Sequence, residues 1–202
     1  MPLKKVYRTG GKDLLASADF YELAANKSFV TFYLADVIVG SDTLDQILTQ
    51  NPIYSNNGWS EVANATKTIE FDLNFEIPVT MEGDANFWIP VAIAGGGTPT
   101  MVWTAKIFHV NSTATETQIG STITRTITSV AAANWIFSGQ ITMTKKTFKQ
   151  GEKFRFEVAV TSDTVGETGY FYYDPKDRTS EAVVNHTVTR QSLINLPIKI
   201  PE

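Results

Sequence analysis

Cysteine is absent from this sequence, which excludes a disulfide framework and every thiolate metal site. A basic excess is absent too. Lys and Arg number 17 against 21 Asp and Glu, for a formal charge of -4, and a chain that grips a polyanion normally carries a positive stripe. Nucleic acid is therefore not an expected partner. No apolar run approaches the roughly 20 residues that a helical membrane span requires, so no membrane association is expected. The early cations Lys4, Lys5 and Arg8 are followed by the polar stretch 9–13 rather than by an apolar segment, so no Sec-type export signal is expected. Only two histidines are present, His109 and His186. Without thiolates they fill a tetrahedral zinc site only if carboxylates join them, and no metal or cofactor is expected.

What is present is alternation. Ile69, Phe71, Leu73, Phe75, Ile77 and Val79 occupy every second position, with Glu70, Asp72, Asn74 and Glu76 between them. This period of two predicts a strand over 68–79 with one face on a core and one in water. Phe154, Phe156, Val158 and Val160 repeat the pattern against Arg155, Glu157 and Ala159. Phe87, Ile89, Val91 and Ile93 alternate after a turn expected at Glu82-Gly83-Asp84, and further strands are expected at 101–110, 134–143, 170–173 and 183–188. The run 28–39 reads as a strand buried on both faces. Ser41 or Asp42 can cap a short helix over 43–48, ended by Asn51-Pro52. Turn signals recur about every ten to fifteen residues after position 66, which favours a sandwich over a βαβ fold.

The expected fold is all-β: a two-sheet, jelly-roll-like β-sandwich with an N-terminal arm and one short helix. Residues 1–65 supply the arm, the buried strand and the helix, and 66–202 form the sandwich. The tail alternates once more through Ile194, Leu196, Ile198 and Ile200, with Pro197 on its other face. A proline deletes a ladder donor, so this segment is expected as an edge strand or arm.

The sharpest chemical candidate is Glu70-Phe71-Asp72-Leu73-Asn74-Phe75-Glu76. It resembles the Glu-x-Asp-x-Glu strand of jelly-roll laminarinases and lichenases, retaining glycosidases whose first Glu is the nucleophile and last the acid/base. Here Asn74 occupies the place of the second Glu. Retaining chemistry sets the carboxyls about 5 Å apart, whereas six residues of strand separate Glu70 from Glu76 by roughly 20 Å. A solvated, charged sheet face is the expectation, and an enzyme is not. Calcium wants about six to eight oxygens from one loop, and no such loop is present. The run Gly95-Gly96-Gly97 lacks the Gly-Lys-Ser/Thr that would make it a phosphate cradle.

Among the aromatics, Trp88 and Trp103 lie in apolar runs and are expected in the core. Trp59, Tyr170 and Tyr172 are the surface candidates for stacking on a sugar. The remaining resemblance is one of style over 66–202. A cysteine-free, mildly acidic, Thr-rich β-sandwich with an irregular N-terminal arm, an apolar C-terminal strand and a Lys149-Gln150-Gly151-Glu152-Lys153-Phe154 strand opening resembles the jelly-roll accessory virion proteins of tailed bacteriophages. It implies a capsid-decoration or tail-associated protein, assembled in the host cytoplasm. Such a protein docks on other virion proteins and on copies of itself, with a trimer favoured. The resemblance carries over no functional residue; the interface is expected at the two termini, through Leu3, Val6, Tyr7, Leu14, Leu15, Ile194, Leu196, Ile198 and Ile200. The alternative is a carbohydrate-binding module that uses Trp59, Tyr170 and Tyr172.

Overall fold

A computed structural model describes residues 29–39, 43–50, 58–63, 66–94, 98, 100–128, 133–162, 168–174 and 191–199. The expected N-terminal arm, the expected strand at 183–188 and Ile200 lie outside them. The described residues form β1 (Phe29–Val39), β2 (Thr43–Thr49), β3 (Gly58–Ala63), β4 (Thr66–Asn74), β5 (Val79–Ala94), β6 (Thr100–Val110), β7 (Glu116–Gln118), β8 (Ile123–Thr128), β9 (Ala133–Phe148), β10 (Lys153–Ser162), β11 (Thr168–Asp174) and β12 (Leu193–Lys199).

The protein is an all-β sandwich, as alternation predicts. One layer is built on β5, which pairs with β9 along one side and with β12 and then β11 along the other, while β3 pairs with β11. The other layer runs β4-β10-β6, with β7 and β8 both on the far side of β6. β1 and β2 join the layers in the order β12-β1-β2-β4, through a single parallel pair, Ile47 with Asp72. Odd-numbered β5 residues and even-numbered β10 residues point inward. Phe87 on β5 meets Phe137 on β9 at 5.1 Å and Phe156 on β10 at 5.5 Å. A second seam packs Phe71 on β4 against Tyr173 on β11 at 5.4 Å. Sandwich cores fill by such interdigitation of two inner faces. Gly139 is required at this seam, because a Cβ there would stand 3.0 Å from both Ile123 Cγ2 and Phe87 Cζ.

Four local expectations change. Residues 43–49 form β2 rather than a helix. Leu44, Ile47 and Leu48 suit a helical stripe, but seven ladder pairs with β1 override that propensity. The strand expected over 68–79 stops at Asn74, since Pro78 closes it and Phe75 O accepts from Gly151 N. Glu82-Gly83-Asp84 is a bulge inside a continuous β5 rather than a turn: Gly83 takes a φ of 115° where the β5–β9 register shifts.

The C-terminal segment is neither an edge nor an arm. β12 pairs with β1 on one side and β5 on the other. Pro197 is tolerated in this interior strand because it sits where the β12–β5 register shifts, beside the bulge at Gly83.

Candidate functional site

The strands that alternation identifies present two unlike outer faces. On the β4-β10-β6 layer, register sets Asp72 opposite Arg155 and Glu70 opposite Glu157, which in turn faces Lys106. Arg155 is the hub. Its Nε donates to Asp72 Oδ1 at 2.7 Å and its Nη2 to Oδ2 at 2.9 Å, a two-point grip that suits the planar guanidinium. Its Nη1 reaches Glu70 at 2.5 Å and Glu116, on β7, at 2.6 Å. Lys153 adds a bond to Asp72 at 3.2 Å, and Lys106 pairs with Glu157 at 2.8 Å.

Burial would raise the Asp72 carboxyl, but hydrogen bonds from Arg155 and Lys153 outweigh it and hold it below its ordinary value. Glu70 moves the other way. Burial raises it, and the Arg155 charge does not offset this together with the neighbouring carboxylates Glu116, Asp72 and Glu157. The Arg155 guanidinium itself is held more firmly protonated than usual, chiefly by its bonds to Asp72.

This network leaves the glycosidase-like strand with its first two carboxylates tied to one cation. Glu76 lies beyond the end of β4. Among the described residues no group of three or more His, Cys, Asp or Glu is placed to hold a metal ion. His109 is nearly enclosed, and its Nε2 contacts Glu152 Oε2 at 2.9 Å. The same carboxylate oxygen accepts from Lys149 N at 2.8 Å, and these two partners lower the Glu152 carboxyl, the backbone donor more strongly. The pair fastens the turn between β9 and β10.

The opposite face, on β1, β12, β5 and β9, has no ion pair in its two central rows. Register aligns Thr31, Asn195, Asn86 and Gln140 in one row across the four strands, and Tyr33, Leu193, Trp88 and Ser138 in the next. Thr31 Oγ1 donates to Asn195 Oδ1 at 2.8 Å, and Gln140 Nε2 to Asn86 Oδ1 at 3.2 Å. Trp88 stands 43% exposed, which corrects its expected place in the core, whereas Trp103 is fully buried. The strand's own parity explains this: Phe87, Ile89 and Val91 point inward, so Trp88 points out.

The sugar-stacking residues expected earlier fare differently. Tyr172 is fully buried, so it is not a surface platform. Tyr170 is half-buried and stacks on Tyr172 with ring centroids 6.3 Å apart. Trp59 is set opposite Tyr172 by the β3–β11 register; its side chain lies outside what is described. Of the expected interface residues, Ile194, Leu196 and Ile198 are core. The inward parity of β12 buries them against β1 and β5, so they are not contact surface. Leu3, Val6, Tyr7, Leu14, Leu15 and Ile200 lie outside the described residues.

Exposed apolar side chains instead gather elsewhere. Phe29 opens β1 and pairs with Pro197 near the end of β12, next to the start of β5. Ile77 lies two residues before β5, at that same end of the sandwich. Phe29 is 49% exposed and Ile77 43%. At the start of β9, Trp135 and Ile136 are also exposed, and Arg125 Nη1 donates to the Ile136 carbonyl at 3.4 Å.

No family model matches this chain, and no curated protein matches it. Among solved structures it is similar to a CocE/NonD family hydrolase from Staphylococcus aureus, at a TM-score of 0.53 and 14% identity over 86% of this chain and 37% of that one. It is also similar to an alpha-amino acid ester hydrolase, at a TM-score of 0.50 and 13% identity over 85% of this chain and 36% of that one. The chain therefore spans little more than a third of those hydrolases, and the likeness is one of fold alone.

Proposed function

We propose that this chain is a non-catalytic structural protein of the accessory virion kind, a capsid-decoration or tail-associated subunit of a tailed phage that works by docking on other virion proteins and on copies of itself. The observation that supports the reading most is the end of the sandwich at Phe29. The Phe29–Pro197 pairing brings the start of the first described strand beside the end of the last. Phe29 and Ile77 offer apolar surface at that end. Large apolar side chains on a surface mark contacts when they cluster, and symmetric assembly multiplies modest contacts of this kind. Glu70, in the place of the glycosidase nucleophile, is engaged by Arg155, and Asn74 stands where the second Glu would be, which supports the non-catalytic part.

Light scattering on the full chain tests this. The wild type is expected as an oligomer, a trimer being favoured, and Phe29→Ser/Ile77→Ser as monomer with an unchanged circular dichroism spectrum. A monomeric wild type, or an oligomer indifferent to both substitutions, would refute it.

A further inference from the structure

We infer that the outer face of β1, β12, β5 and β9 binds a neutral glycan, with the Trp88 indole under the apolar face of a sugar ring and the amides of Asn86, Asn195 and Gln140 on its hydroxyls. Phe29 stands on the same outer face, one row beyond Thr31 on the side away from Trp88, and the site is distinct from the aromatic strand β11.

Three observations carry the inference. The first is composition in place. The two central rows hold amides, hydroxyls, a leucine and one protruding indole, with no carboxylate, ammonium or guanidinium. Asp84 stands one row beyond Asn86 on β5, where it accepts from Thr142 Oγ1 at 2.6 Å. A surface without charge favours an uncharged ligand, because an ionic one would give up hydration for no counter-charge.

The second is pre-organisation. The Thr31 hydroxyl holds Asn195 by its oxygen, and the Gln140 amide holds Asn86 by its oxygen. Neither bond uses the Asn195 or Asn86 amide nitrogen or the Gln140 carbonyl. Two donors and an acceptor thus remain in one row, and little side-chain freedom is left to lose on binding. Vicinal sugar hydroxyls, each both donor and acceptor, can meet donors and an acceptor set in one row.

The third is spacing. Four strands at about 4.8 Å make the amide row roughly 14 Å long, and two residues along a strand set Trp88 about 7 Å from it. A short oligosaccharide lying across the strands can therefore touch both rows.

Affinity electrophoresis of the full chain tests this, in native gels cast with soluble β-glucan, mannan, xylan or galactan and, as a charged comparison, dextran sulfate. Retardation is expected in at least one neutral gel. Trp88→Ala and, separately, Asn86→Ala/Gln140→Ala should each weaken it about tenfold, the loss of one stacking or amide contact. Thr124→Ala, on the other layer, should leave it unchanged. Retardation in no neutral gel, or in dextran sulfate only, overturns the inference. So does retardation that both face variants retain. If Trp88→Ala instead changes the oligomer size with no retardation in any gel, the face is a protein contact and the inference fails, while the Phe29 end is judged separately by its own variants.

Discussion

The two outer faces of this sandwich are built by the same alternation and are opposite in chemistry. Around Arg155 every charge has an opposite charge within hydrogen-bond reach, and the network ties β4, β10 and β7 together. In the two rows around Trp88 no described residue is charged, and the two hydrogen bonds there leave the Asn86 and Asn195 amide nitrogens unused. A row of acidic residues catches the eye in a sequence, but here it is satisfied internally. The face that keeps its binding capacity is the one with nothing conspicuous written on it.

That contrast can be broken from its foundation upward. Deleting residues 193–202 removes β12, the strand that carries Asn195 and lies between β5 and β1. No cooperative thermal transition is expected to survive, because Ile194, Leu196 and Ile198 leave the core together; a folded product would show that the open face is an appendage. Phe156→Ala strikes the seam both layers share, and urea unfolding should show a loss of about 3–5 kcal/mol. A loss under about 1 kcal/mol would mean that the layers barely depend on each other.

Acid sharpens the comparison. The Asp72 carboxyl is depressed in the folded protein, so its stabilisation is present above the unfolded value near 3.9 and is lost as pH falls through the lower folded value. Glu70 is raised, so its ionisation opposes folding above its ordinary value, and protonation relieves this on the way down. Urea midpoints measured against pH should therefore fall mainly below about pH 4, with Asp72→Asn both less stable at pH 7 and flatter in acid. An unchanged acid slope in that variant would detach Asp72 from the fold. The smallest effect belongs to Glu70→Gln, within about 1 kcal/mol of wild type at pH 7, as for an exposed pair.

Much of this architecture was legible. The β10 alternation from Phe154 to Val160 translates directly into inward and outward side chains, as does that of β6. Trp88 was legible in principle, since its neighbours Phe87 and Ile89 fix its parity, but an apolar run read as a block conceals the outward member. Residues 43–49 were not legible, because a capping residue and a helical stripe are local, while the pairing with β1 that decides the outcome is not. Pro197 signalled an edge by the ordinary rule. A bulge at Gly83, more than a hundred positions away in the chain, let an interior strand accept it. The Arg155 network needed the register: Asp72 and Glu116 meet one guanidinium only once β4, β10, β6 and β7 are aligned.

The central claim is that one face holds the fold together and the other is left free for contact. Urea unfolding of Arg155→Met and Trp88→Ala in the same buffer at pH 7 tests it most directly. Arg155→Met is expected to lose about 2–4 kcal/mol, because it leaves Asp72 with Lys153 alone among neighbouring carboxylates, and Trp88→Ala to stay within about 1 kcal/mol of wild type. The reverse order, with Trp88→Ala the more damaging, would contradict it.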